Sequence, residues 1–277
     1  SILWFLLKKL YDKGLLYKGY TIQPFSPAAG TGLSSHELNL PGCYRDVKDT
    51  TCVAMFRLRK AMPNANGLPT YAIAWTTTPW TLPSNTALCV GPAIDYVLVE
   101  TIHPITGDPC CVIVAEPRMG DFFTEGEPDE KSKLLHCKVL LRCKGKDLEG
   151  LYYEQLIPWV KPTVTDLSAQ THRQATDTEA FRIILGDYVT TEDGTGIVHI
   201  APTFGADDAR VAKKAGIADL LLYDADGKQM PMVDRQGRFA RIEDLDPAWV
   251  KDNVNVELYS QYAGKFVKNA YDPTKTE

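Results

Sequence analysis

The sequence predicts an α+β fold in which short strands curl into a barrel-like core, with helices at the periphery and an arm at each end. Three observations carry this. Between residues 51 and 144, short runs rich in apolar and β-branched residues recur at close spacing, separated by Gly, Pro and Asp turns, as a closed or strongly curved sheet requires. Helical periodicity is confined to three places, near residues 2–17, 206–215 and 247–262. The chain has 277 residues and is 44% hydrophobic, which suits one large domain with arms or two small domains. The expected division is a leading arm over 1–50, a barrel core over 51–220 and an outgoing arm over 221–277.

In chain order, residues 2–17 carry Leu3, Leu6, Leu7, Leu10 and Leu15 at helical spacing, with Lys8, Lys9, Asp12 and Lys13 between them. A scaffold helix is expected there, weakened at Gly14 and closed by Gly19. Residues 20–25 form a short strand, and 26–41, rich in Gly, Ser and Pro, a loop or arm. Residues 51–58 alternate, with Cys52, Ala54, Phe56 and Leu58 on one face. Strands follow over 71–78, 86–90, 96–101 and 110–115. Residues 118–133 are acidic and turn-rich, and 137–144 are a further strand. Residues 163–178 are polar and expected to be irregular, and 181–190 are a strand. Towards the end come strands over 219–223 and 230–233 and a helix over 247–262 containing Trp249, Val250, Val254 and Leu258.

The least random stretch is Trp75-Thr76-Thr77-Thr78-Pro79-Trp80-Thr81-Leu82-Pro83-Ser84-Asn85. Tyr71, Ile73 and Trp75 alternate with Ala72 and Ala74, the pattern of a half-buried strand. Three threonines stand at its end. Pro79 then removes a ladder donor and holds Thr78 extended, and Pro83 repeats the effect. β-Branched hydroxyls with little χ1 freedom, flanked by two indoles, suit the wall of a small polar pocket with a size limit. A second stretch runs Gly194-Thr195-Gly196-Ile197-Val198-His199-Ile200-Ala201-Pro202-Thr203-Phe204-Gly205-Ala206-Asp207-Asp208. Gly-Thr-Gly makes a turn, 197–200 a strand, and 206–215 a helix closed by Gly216. His199 then sits at a strand end. Asp208 sits in a helix's first turn, where free N–H groups favour a carboxylate.

Several classes are excluded. A net charge of −5 argues against a broad basic surface gripping a nucleic-acid backbone, though not against binding a few terminal nucleotides. No run approaches 18 apolar residues, so no membrane span is expected. Seven irregularly spaced cysteines suit reduced thiols and a cytoplasmic location. Cys43 with His36 lacks a third catalytic member, and Cys110-Cys111 are too close to chelate a metal. Lys138, Arg142, Lys144 and Lys146 either meet RNA phosphates or form a solvated face. The start at Ser1, within a helical pattern, suggests an excised fragment.

Together the two motif stretches resemble the editing domain of isoleucyl-tRNA synthetases, an insertion in the class I catalytic core. The family's W-T-T-T-P-W-T-L-P-x-N is matched from Trp75 to Asn85, and its G-T-G-x-V-H-x-A-P-x-x-G-x-x-D from Gly194 to Asp208. Valyl and leucyl relatives usually carry Arg where this chain has Thr78, and an acidic residue where it has Trp80. Residues 15–38, with Pro24-Phe25-Ser26-Pro27 and Ser34-Ser35-His36-Glu37, resemble the segment entering the insertion, and 262–272 the segment leaving it. The resemblance covers nearly the whole chain. Some relatives place a cysteine ligand near Ala29; alanine stands there, and no metal or organic cofactor is expected.

The resemblance implies hydrolysis of valine attached in error to an isoleucine tRNA, and of valyl-adenylate. One methylene in an apolar pocket is worth about 1–3 kcal/mol, a magnitude known from this same synthetase family, so one binding step errs too often. It implies that Asp208 pairs with the substrate's α-ammonium group, that His199 bounds the side-chain pocket, and that Thr76, Thr77 and Thr78 hold the ester and terminal ribose. Trp80 either rims the pocket or packs in the core, and Asn85 holds the motif's loop or a water. The implied partners are the tRNA 3′-terminal adenosine with its valyl ester and the rest of a parent synthetase, with no membrane. The activation signatures H-I-G-H and K-M-S-K-S are absent, so amino-acid activation is not expected. Two rivals remain: a module that binds the tRNA end without turning it over, and a valyl-type pocket that clears threonine.

Overall fold

The computed structural model describes residues 2–16, 22–26, 29–44, 46, 48–127, 132–166 and 171–268. It divides into two compact units, Ser1–Cys43 and Tyr44–Glu277. In the first, α1 (Ile2–Asp12) carries apolar side chains around its circumference and buries none of them. β1 (Phe25–Ser26) and β2 (Thr31–Gly32) pair antiparallel. The strand expected over 20–25 begins on residues outside the described ones. α2 (Ser35–Leu38) is a single turn started by a capping box, in which Ser34 and Glu37 each satisfy the other's backbone N–H.

The second unit begins with β3 (Cys52–Arg57), β4 (Thr70–Thr76), β5 (Ala87–Val90), β6 (Asp95–Ile102) and β7 (Pro109–Ala115). After the short pair β8 (Phe123–Thr124) and β9 (Leu135–His136) come β10 (Lys138–Lys144), β11 (Thr163–Asp166), β12 (Thr171–Gln174), β13 (Arg182–Leu185) and β14 (Ile197–Ile200). The chain ends through α3 (Ala206–Ala215), β15 (Leu222–Tyr223), β16 (Gln229–Met230), α4 (Pro247–Asn253) and α5 (Val256–Tyr259). Five strands form one sheet in the order β10-β6-β7-β4-β3, and three form another in the order β13-β5-β14.

Strand alternation decides what each face meets. Ala54, Phe56, Ala72, Ala74, Leu98 and Ile113 of the larger sheet pack with Leu88, Val90, Ile183 and Ile197 of the smaller one in a shared core. The other face of the larger sheet is also covered: Ile73, Val97, Val99, Val112 and Val114 pack under Phe123, Met119 and Phe122. The half-buried character expected of β4 holds at Tyr71 and Trp75 but not at Ile73, which is buried because the segment after β7 folds back over it. α3 covers the smaller sheet's other face, with Val211 and Ala212 against Ala87, Cys89, Ile184 and Ile200. A further core gathers Trp159, Leu220, Leu222, Tyr223, Met232, Trp249 and Tyr259.

The fold is mixed α/β, and the barrel expected from the strand spacing is not observed as a closed ladder among the described residues. β4 pairs with β7 only from Thr70 to Ala72, so its last residues, Ile73 to Thr76, pair on one side alone, with β3. The two sheets are joined instead by isolated bridges, Leu58 with Tyr153 and Tyr152 with Arg182. At the other side Ala115 N–H donates to Thr195 O at 3.0 Å. Two further expectations fail. Residues 163–178, expected to be irregular, contain the antiparallel pair β11–β12, whose Thr163-Val164-Thr165 run is β-branched. The single helix expected over 247–262 breaks at Val254, which is extended and bridges Val160. Asn255 then caps α5 by accepting from Leu258 N–H at 3.2 Å.

Candidate functional site

β4 ends at Thr76, and Pro79–Ser84 forms a 3₁₀ turn with Pro79 in its first turn. Proline suits that position because its missing N–H has no partner to lose. The turn winds Thr81 back onto Thr78: Thr81 N–H and Thr81 Oγ1 both donate to Thr78 O, at 2.9 and 2.8 Å. Thr78 N–H donates to Thr76 Oγ1 at 3.1 Å. The hydroxyls of Thr76 and Thr78 lie 3.4 Å apart, as do those of Thr78 and Thr81. Thr76 and Thr81 are buried, Thr78 is half-buried and Thr77 is exposed. One of the three expected threonines thus faces solvent, and Thr81, not singled out from the sequence, joins the other two. An i, i+3 spacing across a proline turn was the signal for it.

Thr81 Oγ1 also lies 3.1 Å from His199 Nε2. Since the single Thr81 proton is directed at Thr78 O, Nε2–H is the donor in this contact. His199 is 8% exposed, and burial pushes its pKa down to about 4, so the ring is neutral at pH 7. Its Nδ1 is then an acceptor, and it has no hydrogen-bond partner; neither has Trp80 Nε1. Such unmatched buried atoms need an explanation, and functional sites supply many of them.

His199 stands on β14, which pairs antiparallel with β5 so that His199 faces Leu88 and Ile200 faces Ala87. The glycine turn before β14 has Gly194 and Gly196 at φ +68° and +71°, as the sequence leads one to expect. At the strand's far end, Asn85 Nδ2 donates to Ala87 O at 2.8 Å and Ile200 O at 3.4 Å. Tyr153 OH donates to Asn85 Oδ1 at 2.7 Å. Both ends of the Asn85 amide are thereby engaged inside the protein. Asp208 Oδ2 accepts from Ala201 N–H at 2.9 Å. Burial pushes its carboxyl up to about 6; the Ala201 bond works against that rise, and Asp207 adds to it. Gly205, the N-cap of α3, leaves room for this approach, since a Cβ there would lie 2.8 Å from Asp208 Cγ. Trp80 meets Phe204 edge to face, with ring centroids 5.1 Å apart.

The two motifs are therefore fastened together at two consecutive residues, Thr81 at His199 and Asn85 at Ile200, and at the next, Ala201, the second motif folds back on itself through Asp208. Beside them lies an open groove of about 400 Å³, lined by Trp75, Cys52, Val53, Phe122, Arg118 and Asp193 among others. Trp75 directly precedes the hydroxyl chain but projects from the opposite face of β4, so none of the expected site residues lines the groove. Arg118 holds the groove's wall, donating to Gly194 O at 3.1 Å and Glu192 O at 3.3 Å and pairing with Asp121. Among the described residues no three His, Cys, Asp or Glu side chains converge as a metal would need. No helix among them is long and apolar enough to cross a membrane. Of the basic stretch, Arg142 pairs with Glu116 and Lys144 with Asp95.

No family model matches the chain. It is 57% identical to the isoleucine–tRNA ligase of Bacteroides fragilis and 56% identical to that of Porphyromonas gingivalis, each match covering 99% of this chain. The isoleucine–tRNA ligase of Treponema denticola is 42% identical over 87% of it. The chain spans only about a quarter of the length of these relatives, 22–24%. Among solved structures it is similar to a leucyl-tRNA synthetase CP1 structure, at 14% identity and TM-score 0.46, covering 80% of this chain and 93% of that one. It is also similar to the editing domain of P. knowlesi cytosolic leucyl-tRNA synthetase, at 13% identity and TM-score 0.39, covering 57% and 60%.

Proposed function

Since the chain belongs to the isoleucine–tRNA ligase family over the part of those proteins that it spans, we propose that it is an editing deacylase. Its substrate is valine esterified in error to the 3′-terminal adenosine of an isoleucine tRNA, with valyl-adenylate cleaved by the same chemistry. The core over 51–220 carries the reaction, and residues 1–50 and 221–277 lead to and from the remainder of a cytoplasmic parent synthetase. The observation that supports this best is the joining of two polar motifs at His199 and Ile200, beside the Asp208 carboxylate.

Each group has a task that its surroundings suit. Asp208, with a pKa near 6, is ionised at neutral pH and pairs with the substrate's α-ammonium group, fixing the ester. Thr76, Thr77 and Thr78 hold the ester and ribose oxygens. Thr81 and His199 form a stiff wall, and Trp80, braced by Phe204, rims the pocket. Trp75 in the adjoining groove offers an aromatic face to the terminal base. Asn85, engaged at both ends, holds the motif in place without touching substrate. A histidine with a pKa near 4 is a feeble base at pH 7. The water is therefore oriented by the threonine hydroxyls and the neighbouring ribose hydroxyl. Its oxygen attacks the ester carbonyl, the acyl–oxygen bond to the ribose breaks, and a proton passes to the ribose oxygen.

Asp208→Asn tests this reading. It keeps an acceptor for Ala201 N–H and removes the charge. Hydrolysis of Val-tRNA should fall on the order of 100-fold, as expected for losing the group that orients the substrate. A variant as active as wild type would refute the anchor.

A further inference from the structure

We infer that Tyr153 is a positioning residue for this reaction, its hydroxyl holding the Asn85 amide where it clamps the end of β5 to the end of β14. The inference rests on the editing assignment above. Tyr153 is fully buried, 0% exposed, and lies far from both motifs in sequence. It stands in the segment that bridges the two sheets: Leu58 and Tyr153 form an isolated bridge, and Tyr153 N–H donates to Phe181 O at 2.9 Å. Phe56 and Phe181 meet its ring edge-on at 5.4 and 6.0 Å. The ring has no freedom to swing, so the hydroxyl is a fixed point.

That point decides the state of Asn85. A carboxamide has an acceptor end and a donor end. Here the donor end serves the carbonyls of Ala87 and Ile200, which face each other across the β5–β14 ladder. The acceptor end has one donor, Tyr153 OH at 2.7 Å. Asn85 is 2% exposed, so without that hydroxyl its oxygen is a buried acceptor with nothing to accept. An amide in that position gains by turning away from the clamp. The carbonyl that would lose this side-chain donor, Ile200 O, keeps the Thr86 N–H at 3.0 Å and lies between His199, which meets Thr81, and Ala201, which meets Asp208. A hydroxyl outside the two motifs thus governs the alignment of both.

The test uses the full chain with Tyr153→Phe, Asn85→Ala and the double variant, measuring kcat and KM on Val-tRNA and Ile-tRNA. Tyr153→Phe should lower kcat for the valyl ester on the order of tenfold with KM unchanged, as misplacement of aligned groups does. It should also narrow the valyl-to-isoleucyl preference, which partial unfolding would leave alone because it scales both esters equally. In the Asn85→Ala background, Tyr153→Phe should cost less than about twofold more, since coupled residues do not add. Unchanged kcat and preference in folded Tyr153→Phe, or losses that multiply in the double variant, would overturn the positioning role alone. Wild-type inactivity on both esters would overturn the editing assignment and this role with it. Should Tyr153→Phe fail to fold, the wild-type Asn85 side-chain NH2 resonances decide: slow solvent exchange supports the clamp, and rapid exchange refutes it.

Discussion

Asp208 and His199 pull the stability of the folded chain in opposite directions as pH changes. Asp208 has its pKa raised to about 6 by burial, against roughly 3.9 for an unfolded aspartate. The folded state therefore holds its proton more tightly, and folding loses stability as pH rises from about 4 to 6. His199, lowered to about 4 by burial against roughly 6.5 unfolded, contributes stability that is whole above pH 6.5 and is lost as pH falls towards 4. At about 1.4 kcal/mol per unit, each effect is on the order of 3 kcal/mol, and they largely cancel between pH 4 and 6.5. Asp208→Asn removes one side of that balance. The variant should be more stable than wild type at pH 7, by about 1–2 kcal/mol in a denaturant titration, and should lose that advantage by pH 4. A variant less stable at pH 7 would show that the buried charge is not the cost inferred here. Activity should follow the same group: kcat/KM for deacylation falls as pH is lowered through about 6, while kcat persists to lower pH because the bound ammonium group keeps Asp208 ionised. At this scale the sequence was informative but incomplete. Asp208 and His199 were legible through their motifs, whereas Thr81 needed the 3₁₀ turn and Tyr153 needed the inter-sheet bridge before their partners could be known.

The elements most faithfully legible were those decided by local chemistry. α3 spans Ala206–Ala215 as read, closed by Gly216, because a left-handed C-cap and a free first turn are local demands. β4 and β7 were found because β-branched and apolar residues dominate them. Contacts with other segments decided two of the misreadings, the burial of Ile73 in β4 and the break at Val254, which bridges Val160. Gly196 shows how tightly such contacts constrain an element. It sits at φ +71°, a Cβ there would lie 2.3 Å from Ala115 Cβ, and its carbonyl accepts from Tyr96 OH at 2.6 Å. Gly196→Ala should lower stability by about 2–4 kcal/mol, since the left-handed backbone and the overpacking both cost free energy. Because β14 starts at this turn, deacylation should weaken too. A Tm within a degree of wild type would contradict the packing described for this turn.

Across the unit Tyr44–Glu277, the two larger sheets share a core, each covered on its other face, with the polar motifs meeting where β14 ends. The longer strands of the two main sheets and their spacing were readable from the sequence, whereas β8, β9, β11 and β12 were not. Closure was not, since it depends on how far β4 and β7 stay paired and no residue announces that. Editing requires that the junction reject a substrate one methylene larger, and buried β-branched hydroxyls against a neutral imidazole form a wall that yields little. The direct test is hydrolysis of Val-tRNA and Ile-tRNA, both charged on the same isoleucine tRNA, by this chain. The account predicts that the valyl ester is cleared on the order of 10–200-fold faster in kcat/KM, the range one methylene supports. Equal rates on the two esters, or no hydrolysis above the uncatalysed background, would contradict it.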